Sequence, residues 1–189
     1  MPMNQHHKET VYQIDADDRL VVFNSQWNRF AIENDARDLM QDHITNQVLW
    51  HFIRDSETRH LHQTLLQRVR QSGHTLTLPF RCDAPALRRY MEMIIAPLDN
   101  DAIEYCCRTL RTEQREPLRL LDPAASHNEH GAMLRMCSWC KNIDTGGTGW
   151  METENAIAHL HLFDTESLPR ITHTMCDACL GRFGFDNDH

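Results

Sequence analysis

Cys137 and Cys140 are separated by two residues, as are Cys176 and Cys179, and 35 residues lie between the two Cys-x-x-Cys turns. Four thiols so arranged have three ordinary uses: a metal cage, a set of redox couples, or a disulfide staple. They fall in the last third of a 189-residue chain. That length accommodates one domain, or a domain of about 110 residues and a smaller one. A tail of about 60 residues is near the size at which an apolar core alone becomes marginal, so metals or disulfides often reinforce it. The cysteines stand where reinforcement is needed.

No apolar run approaches the roughly 18 residues of a membrane span, and the opening "MPMNQHHKET" has no apolar signal core. A cytoplasmic location and no membrane partner are therefore expected. In that compartment thiols stay reduced, so paired cysteines read as metal ligands or redox centres before structural disulfides. Net charge is −8, and residues 131 to 189 hold four basic against eight acidic residues, net −4. Nucleic-acid binding draws on clustered Lys and Arg, so no nucleic-acid partner is expected.

Short β-rich runs at residues 11–16 and 19–24, parted by "DD", read as a hairpin with a tight acidic turn. In "SQWNRFAIENDA" Trp27, Phe30 and Ala31 share a helical face, with Ser25 as the expected cap. "SETRHLHQTLLQRVRQSG" places Leu61, Leu65, Leu66 and Val69 on one face, with Ser56 as cap and Gly73 as stop. The pattern then switches to period two at Leu76, Leu78 and Phe80, at Met91, Met93 and Ile95, and across residues 102–112. Two strands, helices and three strands predict an α+β fold, an antiparallel sheet with helices on one face. Residues 114–130 carry two prolines and read as a linker, with Leu118, Leu120 and Leu121 as candidate docking side chains.

This order, together with Ile14-Asp15, the short turn, Val22 to Asn24 and the Trp27/Phe30 helix, resembles the PAS domain family over residues 8 to 113. The resemblance implies a β-β-α-α-α-β-β-β arrangement and a five-stranded sheet cupping a ligand pocket, usually in a signalling protein and often in a dimer. The tail is similar to a short bacterial module that follows PAS or receiver domains. Its pattern falls here on Cys137, Cys140, Trp150, Glu152, Thr172, His173, Cys176 and Cys179. That second resemblance implies a zinc-binding element. The expected organisation is thus 1–113 PAS-like, 114–130 linker and 131–189 zinc-binding module.

Zn²⁺ favours four N or S ligands in a tetrahedron, and two Cys-x-x-Cys turns supply four sulfurs. Cys137, Cys140, Cys176 and Cys179 are the expected ligands, and His173 is an alternative ligand or a hydrogen-bonding neighbour of the site. Four protein ligands leave no open position, which argues for structural rather than catalytic zinc. Between the turns, Ala156, Ile157, Leu160 and Phe163 share a helical face, and Trp150 is available to cover the metal. Cys82, Cys106 and Cys107 read as strand packing residues.

Trp27, Phe30, Trp50, Phe52, Phe80, Met91 and Met93 would line a ligand pocket in the first domain or fill a solid core. Haem would need a histidine on or near a pocket helix; His43, His51, His60, His62 and His74 lie in the helical region or at its edge, and no local motif singles one out. "RCDAPALRRY" gathers Arg81, Asp83, Arg88 and Arg89 around a hairpin that reads as a solvated rim or an anion-holding cluster. No nucleophile triad, phosphate-cradling Gly loop or His-Glu-x-x-His helix is present, so enzymatic chemistry is not indicated. The expectation is a PAS-type sensory or adaptor protein with a signalling partner or small ligand. A thiol/zinc redox sensor, a zinc-containing transcription regulator and a haem sensor stand as alternatives.

Overall fold

The acidic turn that opens the fold is built by its own side chains. In the computed structural model, which describes residues 9–53, 55–122, 124–128, 133–162 and 167–182, β1 (Thr10–Ile14) and β2 (Leu20–Phe23) pair antiparallel with a bulge after Gln13. Asp15 Oδ1 accepts the backbone N–H groups of Asp17 and Arg19 at 3.0 and 2.9 Å, an Asx arrangement that closes the turn. Asp18 sits at φ 60°, a conformation that Asp tolerates better than most residues.

The helix α1 (Ser25–Glu33) follows directly, and its cap is Asn24 rather than Ser25, which is already the first helical residue. The Asn24 side chain is otherwise engaged, donating to the Glu9 carbonyl at 2.7 Å. After the short α2 (Gln41–Ile44) comes α3 (Ser56–Ser72). Here too the cap lies one residue upstream of the expected serine: Asp55 accepts the Thr58 N–H at 2.6 Å. Gly73, at φ 66°, ends the helix in the left-handed conformation that glycine adopts without cost.

The remaining strands are β3 (Leu76–Arg81), β4 (Leu87–Pro97) and β5 (Ile103–Gln114). They complete a five-stranded antiparallel sheet in the order β2-β1-β5-β4-β3. The first and last strands in sequence are central partners, with Ile14 opposite Ile103 and Tyr12 opposite Tyr105. Ile14, Leu20, Leu65, Ile95, Ile103 and Tyr105 are buried almost completely, which is the period-two and helical patterning expressed as a core. Tyr12 stacks on Tyr105 at 4.7 Å and meets the Trp27 ring edge-on at 5.2 Å.

The chain divides into two compact units, residues 1–80 with 90–111 and residues 81–89 with 112–189. The tip of the β3–β4 hairpin and residues 112–130 thus belong with the cysteine-bearing tail, where the sequence suggested a linker. The physical reason is apolar: Leu118 and Leu120 are buried in one cluster with Met136, Ile143, Ala156, Ile157 and Leu168. Leu121 packs against it.

The second unit is made of short pieces. They are β6 (His127–Asn128), β7 (Leu134–Cys137), β8 (Ile143–Asp144), β9 (Trp150–Met151), α4 (Thr153–His159), β10 (Leu168–Pro169), β11 (Ile171–Thr174) and α5 (Asp177–Arg182). Four of these strands form a sheet in the order β11-β7-β8-β9. Ala156 and Ile157 are buried as expected, but α4 ends at His159, and His161 at φ 55° lies beyond its end. Leu160 is half-buried, and Phe163, assigned to the same face from the sequence, lies outside the described residues.

Candidate metal centre

The two cysteine turns meet because the strands that deliver them are neighbours. β7 ends in Cys137, β11 ends at Thr174, and the strands pair in parallel with Thr174 opposite Cys137. After Cys137 the chain reverses: Lys141 N–H donates to the Cys137 carbonyl at 3.0 Å, and Cys137 N–H donates to the Asn142 carbonyl at 2.8 Å. Lys141 takes φ 65° to complete the reversal. Ser138 N–H donates to the Thr174 carbonyl at 2.8 Å, so the first turn is stitched to the strand that leads into the second. In the second turn, Cys179 and Leu180 N–H groups donate to the Cys176 carbonyl at 2.9 and 3.0 Å, which starts α5.

The four ligand atoms of Cys137, Cys140, Cys176 and Cys179 all lie within 4.8 Å of one another. Cys140 Sγ and Cys176 Sγ are 3.7 Å apart, close to the edge of about 3.8 Å that a tetrahedron with Zn–S bonds of about 2.3 Å requires. The Cys176 N–H donates to the Cys137 sulfur at 3.5 Å, a backbone dipole suited to a thiolate. Cys137, Cys176 and Cys179 are buried and Cys140 is half-buried. The group could hold a metal ion such as zinc.

Crowding makes the thiols compete for protons. Hydrogen bonds from Cys140 and Cys179 hold Cys137 well below the ordinary thiol range. Cys140, whose thiol is held by its hydrogen bond to Cys137, is pushed up to about 12, and the Cys179 thiol is raised for the same reason. Four thiols this close cannot all ionise in the absence of a cation. A divalent metal supplies the charge that lets the remaining protons leave.

His173 is not in this group of four ligands. It lies on β11 with Ile171, two residues away on the same strand face, and the two side chains line a cavity with Met136. Trp150, proposed from the sequence to cover the site, is half-buried in β9 opposite Asp144. The tryptophan inside the first turn, Trp139, is only 4 % exposed, and its carbonyl accepts the Arg81 N–H at 2.8 Å. Its position between Cys137 and Cys140 was the available signal.

The hairpin arginines form an ion network rather than a solvated rim. Arg81 is 6 % exposed and bonds to Asp83 and, at 2.6 Å, to Glu152. Arg88 and Arg115 each reach Glu154 Oε1 at 2.7 Å, and Arg115 lies 3.3 Å from Asp83. Burial opposes a carboxylate at Glu154, yet hydrogen bonding at its own backbone and from Arg115, with the charge of Arg88, holds it below the usual range. Arg89 stands apart from these pairs, its guanidinium 3.5 Å from the Cys82 carbonyl. None of the seven cysteines is in a disulfide, and Cys82, Cys106 and Cys107 are half-buried.

Of the seven residues assigned to a first-unit pocket or core, Met91 is buried, while Trp27, Phe30, Trp50, Phe52, Phe80 and Met93 are half-buried. Trp27 Nε1 donates to the Leu39 carbonyl at 2.7 Å and Trp50 Nε1 to Asp18 Oδ2 at 2.8 Å, so both indoles are fixed by polar as well as apolar contacts. Of the five histidines considered for haem, His62 is buried, whereas His43, His51, His60 and His74 are exposed. Among the described residues no helix is long and apolar enough to cross a membrane.

The chain matches no protein-family model, and no curated protein matches it.

Proposed function

We propose that this is a non-enzymatic sensory or adaptor protein of PAS type, acting in signal transduction, with a structural zinc ion held by Cys137, Cys140, Cys176 and Cys179. The four-sulfur cluster carries the zinc half of the reading. Its donor set suits zinc, its size suits a tetrahedral ion, and four thiolates leave no position for substrate or water. Two strands, three α-helices and three strands in the described chain support the PAS half. In this reading the first unit binds a small molecule or a protein partner, and the zinc-bound unit keeps its fold or passes its state onward.

The first test is elemental analysis with an absorption spectrum on untagged protein purified without added metal. About one zinc per chain, the content expected of a single four-thiolate site, and no visible band supports the reading. A Soret band or charge-transfer absorption moves it to a haem or iron protein.

A thiol-based redox sensor is the second reading, favoured by one observation: Cys140 is half-buried while the other three sulfurs are buried. Zinc release by mild peroxide, reversed by reductant, supports it, and retention of zinc under the same dose counts against it.

A further inference from the structure

We propose that Cys140 is the site at which hydrogen peroxide modifies the second unit, and that Cys176 resolves the product by forming a disulfide across the two cysteine turns. The inference deepens the redox reading above and rests on it.

Exposure selects the first sulfur. Cys137, Cys176 and Cys179 are buried, at 3 % exposure or less, whereas Cys140 is half-buried. Peroxide has to touch the sulfur it oxidises, and sulfenic acids form at accessible thiolates. Cys140 is the member of the four that solvent reaches.

Distance selects the second. Cys140 Sγ and Cys176 Sγ are 3.7 Å apart, so closure to an S–S bond of about 2.0 Å is a small movement of two side chains. Cys137 shares the turn of Cys140, but its sulfur is held by the Cys176 N–H at 3.5 Å. The turns themselves are already joined, because Ser138 N–H donates to the Thr174 carbonyl at 2.8 Å. A bond from Cys140 to Cys176 follows a connection that the backbone has made.

The chemistry balances with peroxide as the oxidant. The Cys140 thiolate attacks one peroxide oxygen, so that an S–O bond forms as the O–O bond breaks, and the displaced hydroxide takes up a proton and leaves as water. The Cys176 thiolate then attacks the Cys140 sulfur. The S–S bond forms, the S–O bond breaks, and a second hydroxide is protonated to water. Two sulfurs are oxidised and two peroxide oxygens are reduced. Cys137 and Cys179, one from each turn, are left as donors, too few for a four-sulfur cage. Zinc would be released while the turns stay tied, and reductant would restore the four thiols.

The test treats the full metal-loaded chain with hydrogen peroxide, alkylates the remaining thiols, digests with trypsin without reductant, and measures released zinc alongside tandem mass spectrometry. Trypsin cuts after Arg135, Lys141, Arg170 and Arg182, so the two turns fall on separate peptides, 136–141 and 171–182. These peptides should be joined in about one copy per zinc released, the content of a single four-thiolate site. Fragmentation should place the link at Cys140 and Cys176, with the alkyl label on Cys137 and Cys179. Dimedone present during oxidation should cap Cys140 and suppress the link, since it traps the sulfenic acid before Cys176 reaches it. Zinc release with the two peptides unlinked, or with the dimedone adduct on another of the four cysteines, overturns this proposal and leaves the redox reading standing. Retention of zinc overturns both, and no substitution of a ligand is needed to decide.

Discussion

The two units of this chain achieve stability by different means. The first holds most of β4 and β5 and a 17-residue helix, and it buries large side chains such as Tyr105, Leu65 and Ile95 almost completely. Burial at about 25 cal/mol per Å² of apolar surface is enough to hold such a body. The second unit has strands of two to four residues and helices of six and seven. Its cluster of buried apolar residues includes alanine and rests on Leu118, Leu120, Ile143, Ile157 and Leu168. Beside it stand four sulfurs and a buried set of ion pairs. An apolar core of that size needs reinforcement; charge pairing supplies some, and a metal ion held by the four sulfurs would supply more.

Metal removal should break this contrast most severely. Structural zinc contributes on the order of 10 to 16 kcal/mol in zinc-finger peptides, more than the whole stability of many domains. Chelation of the full chain should therefore abolish hydrogen-exchange protection in β7, β11 and α5 while leaving β1, β5 and α3 protected. Cys137→Ala with Cys176→Ala should do the same without chelator. Equal protection in both units before and after metal loss would show that the second core stands alone.

Breaking the ion network should have the next greatest effect. Arg81 and Asp83 are 6 % and 2 % exposed. Arg81→Met leaves Asp83 with Arg115 alone, and removing one member of a buried pair costs about 3 to 5 kcal/mol. The loss should appear in the second unit's unfolding transition. Asp83→Leu in the same molecule should recover much of it, since replacing both members with apolar groups is often near neutral. A single variant as stable as the parent would mean that the network adds nothing to the unit.

Local signals were legible in the sequence and distant ones were not. The Cys-x-x-Cys turns and Gly73 declare themselves because their geometry is fixed within a few residues. The alternation of β3, β4 and β5 is visible for the same reason, since each side chain's face follows from its neighbour's. The Arg81 to Glu152 bond spans 71 residues, and neither end carries a local mark of it. Only the density of charge in "RCDAPALRRY" hinted that something would meet it. Leu118 and Leu120 stand in a stretch that reads as a linker because of its prolines, and although they were candidate docking side chains, which surface buries them is decided by partners distant in sequence. His173 had a ligand's spacing from Cys176, but its strand phase places it in the lining of the cavity, with Ile171.

Acid should sharpen the contrast through His62. Burial holds this imidazole neutral, with its pKa lowered from 6.5 to about 4. Above pH 6.5 the folded and unfolded forms are both neutral and nothing is lost. As pH falls from 6.5 to 4 the unfolded chain takes up a proton that the folded chain refuses, so stability falls, by about 3 kcal/mol in all. Below pH 4 the loss is complete. The signal must be read through first-unit probes such as Trp27, because acid also expels metal from thiolates. His62→Leu should flatten the slope, and an unchanged slope would place the acid sensitivity elsewhere.

The smallest effect tests how the first unit begins its long helix. Asp55 and Ser56 are both good capping residues and stand side by side, so propensity alone does not choose between them. The structure chooses Asp55, whose carboxylate accepts the Thr58 N–H, and it also places a negative charge at the positive end of a 17-residue helix. Asp55→Ala should cost about 1 kcal/mol, within the usual range of about 0.5 to 2 for a lost cap. Ser56→Ala should cost less than about 0.5 kcal/mol, because alanine suits the first turn as well as serine does. Denaturant titration followed by the first unit's helical signal measures both, and metal content should be unchanged in each. A larger loss at Ser56 than at Asp55 would move the helix start by one residue, and with it the phase that sends Leu61, Leu65, Leu66 and Val69 into the core.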